Sequence, residues 1–393
     1  MSTPVQKRID GIDFWRGFVL LTIFVDHAPN NIVAHITHHN FGFSDAAEAF
    51  VFLSGISVAL AYGRRFINGQ IAQSIHATYR RAATLYWVQI VIQLVGIAFL
   101  IAAAYLVDSD DLTDDADRAI IVDSPVRSII AMFGLTHQLG FFNILPLYIV
   151  FLLVTPGFLA LARVDRRLML LASAALYLAV RYFSLALPTW PLHGEWFFNP
   201  LAWQIIFVLG LYFGLRLNPP PVDGRLFILS VIVVVGSLFL LTDAFGFSPD
   251  LWDTVRDHVA HDKTGLSWIR LVHFVALAYV IYYANVTELL RTTPVFAPLA
   301  LLGRHSLAVF AAGALLTLVG EAIMETEIPD VLGQVIIVIG GCMVQYWIAL
   351  YFEARVTRRK AAAAAHDRKA PVAPPAAAKP SLQGAGDGAS LAT

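Results

Sequence analysis

Charge is what this chain of 393 residues has least of. Only 14% of its residues are Asp, Glu, Lys or Arg, where a soluble domain carries about a quarter. Cysteine is nearly absent, and the single Cys342 excludes an internal disulfide and a Cys-rich metal site. No glycine-rich phosphate loop ending in Lys and Ser or Thr occurs, which sets aside an ATP-driven pump. No internal repeat is visible, and no small-residue cleavage site follows the first apolar run. The formal net charge of −1 names no partner, and no nucleic acid is expected. What is present is apolar bulk: 58% hydrophobic residues and a mean hydropathy of +0.68. Runs of this kind are long enough to cross a bilayer as helices, the form that satisfies its own backbone in lipid.

Ten apolar stretches stand out, at 12–28, 46–63, 83–107, 142–162, 168–187, 201–217, 226–243, 268–287, 305–323 and 332–352. The expected fold is therefore all-α, a polytopic bundle of about ten transmembrane helices. Basic residues follow one side of it, from Lys7 and Arg8 through Arg64, Arg65, Arg80 and Arg81 to Arg355, Arg358 and Arg359. The acidic and Trp-bearing loops at 108–117, 188–200, 248–265 and 324–330 follow the other. The basic side is read as cytoplasmic, which puts both termini inside. Residues 1–355 form the expected membrane domain. Residues 356–393, rich in Ala, Pro and Gly, read as a disordered cytoplasmic tail.

The stretch DFWRGFVLLTIFVDHAPN at 13–30 carries the most chemistry. Arg16 and His27 are eleven residues apart, a rise of about 16 Å and nearly a whole number of helical turns. They lie on almost one face, about half a membrane apart. Asp13 stands three before Arg16, a spacing that permits an ion pair. Pro29 disfavours helix at Ala28, so the helix is expected to stop at or just after His27. Adjacent helical residues point apart, so Asp26 is not the expected partner of His27. Glu48, at the start of the second span, is the expected orienting carboxylate. The alternative is an interfacial turn, with His27 on the helix macrodipole and Arg16 snorkelling to the surface. Ionisable groups at membrane depth argue for a site. Arg181, Arg270 with His273, and Glu321 are further intramembrane polar groups, readable as structural pairs or as cavity lining. His27, His35, His38 and His39 cluster without regular spacing or cysteine, so no metal is expected.

RIDGIDFWRGFVLLTIFVDH at 8–27, followed by FVFLSGISVALAYGRR at 50–65, resembles the start of the acyltransferase-3 superfamily of polytopic membrane acyltransferases. FNILPLYIVFLL at 142–153, WFFNPLAWQIIF at 196–207 and LLGRHSLAVF at 301–310 resemble its OpgC branch, associated with succinylation of osmoregulated periplasmic glucans. The likeness spans most of residues 8–355. It implies that His27 is the catalytic histidine and Arg16 the first-span arginine. Where the superfamily commonly carries Arg-x-x-Arg entering the third span, this chain reads YRRAATLYW, with Ala83 and Thr84 after Arg80 and Arg81.

The activity so implied joins a cytoplasmic acyl-CoA, succinyl-CoA or another, to a glucan hydroxyl outside. No permanently bound cofactor is expected. A neutral imidazole would serve as base or would itself be acylated, and the residues leave both routes open. Arg64, Arg65, Arg80 and Arg81, with Arg304 and His305 entering the ninth span, are candidates for the phosphates of coenzyme A. Any one of them is also explained by the charge bias of cytoplasmic loops. Asn143, Trp196, Asn199 and Gln204 are candidates for the glucan, with Trp190 and Trp203 nearby. Interfacial anchoring for the Trp residues, and helix-to-helix bonding for Asn143 and Gln204, are the competing readings. The rival function is a proton-coupled transporter or flippase of a polar solute, disfavoured by the lack of repeated halves.

Overall fold

The computed structural model describes residues 4–29, 31–108, 111–216, 222–241, 262–326 and 330–369. It divides into a unit of residues 1–351 and a second of 352–393. The first is an all-α membrane bundle. The main helices of the chain are α1 (Pro4–His27), α2 (Ala46–Val58), α3 (Ile71–Val107), α4 (Ile144–Val164), α5 (Arg166–Phe183), α6 (Pro200–Leu215), α7 (Gly224–Leu241), α8 (Trp268–Tyr283), α9 (Phe296–Arg304), α10 (Ser306–Thr326) and α11 (Val331–Lys369). A two-stranded turn pairs Pro188–Thr189 with Gly194–Glu195.

Each of the ten apolar stretches overlaps a described helix; positions 217 and 242–243 of them lie outside the described residues. Among the described residues, six helical segments are long and apolar enough to cross a membrane: Ala46–Ile67, Ile71–Val107, Gly140–Val164, Gly224–Leu241, Ser306–Met324 and Val331–Ala363. The apolar helices α6 and α8 are shorter. Many large apolar side chains point outward, among them Trp87, Val91, Val95 and Ile101 on α3 and Ile228, Leu229 and Ile232 on α7. A soluble monomer does not carry apolar surface on this scale, whereas acyl chains solvate it.

The described part of the second unit is helical to Lys369. The first part of the segment read as a disordered tail is therefore helix. The five alanines at 361–365 account for it, alanine being the best helix former. Residues 370–393 of that expected tail lie outside the described residues.

Local chemistry sets the helix ends that matter for the site. α1 stops at His27, as Pro29 requires. Asn31 then folds back, its Nδ2 donating to the Val25 carbonyl at 2.9 Å and to that of Ala28 at 2.5 Å. The Val25 carbonyl, one of the last of α1, is thereby satisfied. Asp45 caps α2 in a capping box: its Oδ1 accepts from Ala47 N at 2.8 Å, while Glu48 Oε2 accepts from Asp45 N at 2.9 Å. α2 runs on through a π-helical turn at Ala59–Gly63 to Ile67.

α2 crosses α6 with the two backbones in close approach. A Cβ at Gly55 would stand 2.1 Å from the Phe207 carbonyl oxygen, and one at Gly210 the same distance from that of Phe52. Small residues at such a crossing let two backbones touch. Around it Trp203, Phe207, Phe151 and Phe142 are fully buried. α1 is held at its other end by the stacking of Phe14 on Phe296 of α9, with centroids 4.8 Å apart.

Candidate functional site

His27 is fixed by its own helix. Its Nδ1 lies 2.5 Å from the Ile23 carbonyl oxygen, one turn back. A carbonyl only accepts, so Nδ1 carries the proton and donates. In the neutral ring the lone pair is then on Nε2. The Phe141 ring meets the imidazole edge-on, with centroids 4.6 Å apart, which limits its rotation.

Three cavities touch this imidazole. One of about 410 Å³ is lined by Asp26, His39, Asp45, Asn143, Phe197 and Lys263 as well as His27. A second of about 700 Å³ lies along Pro29, Asn31, His35, Asn40 and Glu321. The third is small, about 20 Å³, room for about one water-sized group. It runs back along Ile23, Phe24 and Leu20 of α1, toward the Arg16 end. His27 therefore stands where two wide cavities with charged side chains in their walls and one narrow cavity meet.

The wide cavity has a charged wall. Lys263 Nζ approaches Asp45 Oδ2 at 2.6 Å, and Arg270 Nη2 donates to the same oxygen at 3.0 Å. Arg270 Nε donates to Glu48 Oε1 at 2.7 Å. Burial alone would raise the Asp45 pKa, but the Lys263 and Arg270 charges outweigh it and hold Asp45 well below the usual carboxylate range. Lys263 also lies 5.8 Å from the ring centroids of Phe197 and Phe198. Across the cavity, His39 Nδ1 meets Asp26 Oδ1 at 3.1 Å. That bond raises the His39 pKa against the opposing effect of burial.

The expected orienting bond from Glu48 to His27 is not made. Glu48 is wholly buried and is engaged by Arg270 and the Asp45 backbone. The Ile23 carbonyl does the orienting instead. Arg16 is placed as its spacing required. Nη1 lies 3.4 Å from Asp13 Oδ1, and Nη2 donates to Ser306 at the start of α10. Arg304 stands within electrostatic reach of Asp13, and both Arg16 and Arg81 within reach of Tyr148 on α4. Arg16 and Arg304 thus both act on Asp13. Arg64 Nη2 donates to the Gly214 carbonyl at 3.3 Å, a tie from α2's last turn to α6. Arg65 and Arg80 are exposed, and His305 is half-buried at the head of α10.

Of the four expected glucan contacts, Asn143 lines the wide cavity. The other three are built into the frame. Trp196 is buried, and its neighbours Phe197 and Phe198 line the cavity in its place. Asn199 is the N-cap of α6: Oδ1 accepts from Leu201 N at 3.1 Å, and Nδ2 donates to the Leu185 carbonyl at 2.6 Å. Gln204 ties α6 to α5, accepting from Ser173 Oγ at 2.6 Å and donating to the Ser173 carbonyl at 2.9 Å. Trp203 is likewise structural, its Nε1 donating to the Lys263 carbonyl at 3.0 Å.

Two further ion pairs stand among the described residues. Arg118 grips Glu321 with two bonds of 2.7 and 2.9 Å, and Arg181 donates to Asp262. The Asp26–His39 pair, Lys263 and Phe141 were not singled out by sequence. A signal for Asp26 existed in its position beside His27; Lys263 looked like an ordinary loop charge.

A family model described as OpgC protein matches residues 8–357. Comparison with curated proteins and with solved structures gives no match.

Proposed function

The chain belongs to the OpgC protein family, and from that premise we propose that it is a membrane O-acyltransferase. It moves a succinyl or other short acyl group from acyl-CoA on the cytoplasmic side to hydroxyl groups of a periplasmic glucan. It spans the bacterial inner membrane with about ten helices, both termini inside. The Arg16 end of α1 then faces the cytoplasm, and the two wide cavities open on the periplasmic side.

The observation that carries this reading is the state of His27. Its Nδ1 proton is committed to the Ile23 carbonyl, so Nε2 is the basic atom, and the ring borders cavities on both sides. A glucan hydroxyl in the wide cavity gives its proton to Nε2 as its oxygen bonds to the thioester carbonyl carbon. The carbonyl electron pair moves onto oxygen. Collapse of that intermediate breaks the C–S bond, and the sulfur takes the proton back from His27. The products are a glucan ester and a free thiol.

Asn143 and the exposed ring of Phe197 suit a sugar, one by hydrogen bonds and the other by its apolar face. Arg16, Arg64, Arg65, Arg80, Arg81 and Arg304 supply positive charge for the phosphates of coenzyme A, with His305 beside them as a hydrogen-bonding group. The acidic groups of the wide cavity are already paired, which suits a neutral acceptor there.

Mass spectrometry of periplasmic glucans from cells with and without the gene tests the proposal. Anionic half-ester groups present only with the gene are expected. Neutral acetyl groups would reassign the donor. Unchanged glucans, with gene-dependent uptake of a labelled solute, would replace acyl transfer by transport.

A further inference from the structure

Gln345 lies midway along α11, in an apolar run, with no exposed surface. Neither its Nε2 nor its Oε1 has a hydrogen-bond partner among the described residues. A buried amide in that state is unfavourable, and native proteins seldom keep one without use. Gln204 shows what a purely structural glutamine looks like here: both of its polar atoms are bonded across a helix interface.

The position of Gln345 gives the reason to keep it. It lines the narrow cavity that touches His27 on the Arg16 side. Gly313 of α10 faces it, and a Cβ there would stand 3.2 Å from Gln345 Oε1. Leu20, Phe24, Phe310 and Ala314 supply apolar wall. Thr317 lines the cavity too, but its hydroxyl proton goes to the Gly313 carbonyl at 3.1 Å. The cavity thus offers one uncommitted N–H donor in low-dielectric surroundings, beside the imidazole that acts as base. Arg16 is no substitute, being about 16 Å down the helix from His27.

We infer that Gln345 is a catalytic residue whose Nε2 donates to the carbonyl oxygen of an acyl thioester; the inference rests on the acyltransferase reading. As the acceptor oxygen bonds to the carbonyl carbon, the π pair moves onto the carbonyl oxygen and the Gln345 bond strengthens. When the C–S bond breaks, the pair returns to the carbonyl and the bond weakens. Gln345 gains and loses no proton. A donor aimed at charge that develops only in the transition state lowers the barrier without tightening ground-state binding.

The test uses the full-length protein in proteoliposomes, with succinyl-CoA and purified periplasmic glucan. Q345L removes both polar atoms with a branched side chain, and Q345M removes them while keeping the unbranched length of glutamine. Each is compared with wild type and H27A for kcat, for the KM of the acyl-CoA, and for thermal unfolding. The expected result is a kcat lower by about a hundredfold in both Gln345 variants, with KM within about threefold of wild type. Q345L should melt no lower than wild type, since no internal bond is lost. A structural role would instead lower the melting point and leave kcat per folded protein unchanged. If Q345L does not fold, Q345M decides; if neither folds, Gln345 is a packing residue and the inference is overturned. A folded variant with kcat near wild type overturns it as well. Wild type and H27A both inert toward succinyl-CoA and other acyl-CoAs would bring down the acyltransferase reading, and this inference with it. Wild type active, H27A inactive and Q345L active would remove Gln345 alone.

Discussion

Replacing Arg270 by methionine separates a carboxylate that serves the imidazole from one that serves the frame. Glu48 has no exposed surface. It accepts from Arg270 Nε at 2.7 Å and from Asp45 N at 2.9 Å. R270M removes the guanidinium. Asp45 retains Lys263 at 2.6 Å, but Glu48 retains only a backbone N–H. Leaving one member of a buried ion pair uncompensated costs about 3–5 kcal/mol. E48Q is milder, because Arg270 keeps Asp45 at 3.0 Å and a glutamine oxygen still accepts from Asp45 N. Its expected cost is about 1–3 kcal/mol. In the double variant neither charge is stranded. It should be more stable than R270M alone, with a coupling of about 0.5–3 kcal/mol. Unfolding of the detergent-solubilised variants, followed by tryptophan fluorescence, measures all four corners of the cycle. Equal losses for R270M and E48Q, or strictly additive losses, would refute the pairing. E48Q with an intact fold and no acyl transfer would return Glu48 to the mechanism.

Three further outcomes are expected. The His39–Asp26 pair should be pH-dependent: with the His39 pKa raised by Asp26, its contribution is complete below about pH 6.5 and is lost as pH rises through the raised value. At 40% side-chain exposure for His39 this is well under about 1 kcal/mol, and D26N should flatten that dependence in stability measured from acid to alkaline pH. Q204L should lower stability by about 1–3 kcal/mol by stranding Ser173, while acyl transfer per folded molecule stays at the wild-type level. N199A should cost about 1 kcal/mol through loss of the α6 cap, again with activity retained; a selective loss of glucan affinity in N199A would make Asn199 a ligand after all.

Much of the frame was legible because hydrophobic runs in a membrane protein are long and their meaning is nearly one-to-one with helix. The end of α1 at His27 and the Asp13–Arg16 contact followed from Pro29 and from helical spacing, both local. What failed was partnership over long sequence distance. Glu48 was assigned to His27 because both are polar and near the same bundle end; its real partner, Arg270, lies 222 residues away. Asn199 was read as a glucan contact with the Trp-bearing stretch around it, and Gln204 either as an acceptor contact or as a tie between helices; both bond within the protein. WFF at 196–198 presented three aromatics, and no one-dimensional pattern says that Trp196 turns inward while Phe197 and Phe198 face the cavity. Gln345 carried no sequence signal at all: one amide in an apolar run means little until its lack of partners is seen.

Acyl transfer by H27A, reconstituted with a labelled acyl-CoA and periplasmic glucan, tests the central claim most directly. The account predicts a folded, membrane-inserted protein that transfers label at least about a hundredfold more slowly than wild type. Label reaching glucan at the wild-type rate would contradict it.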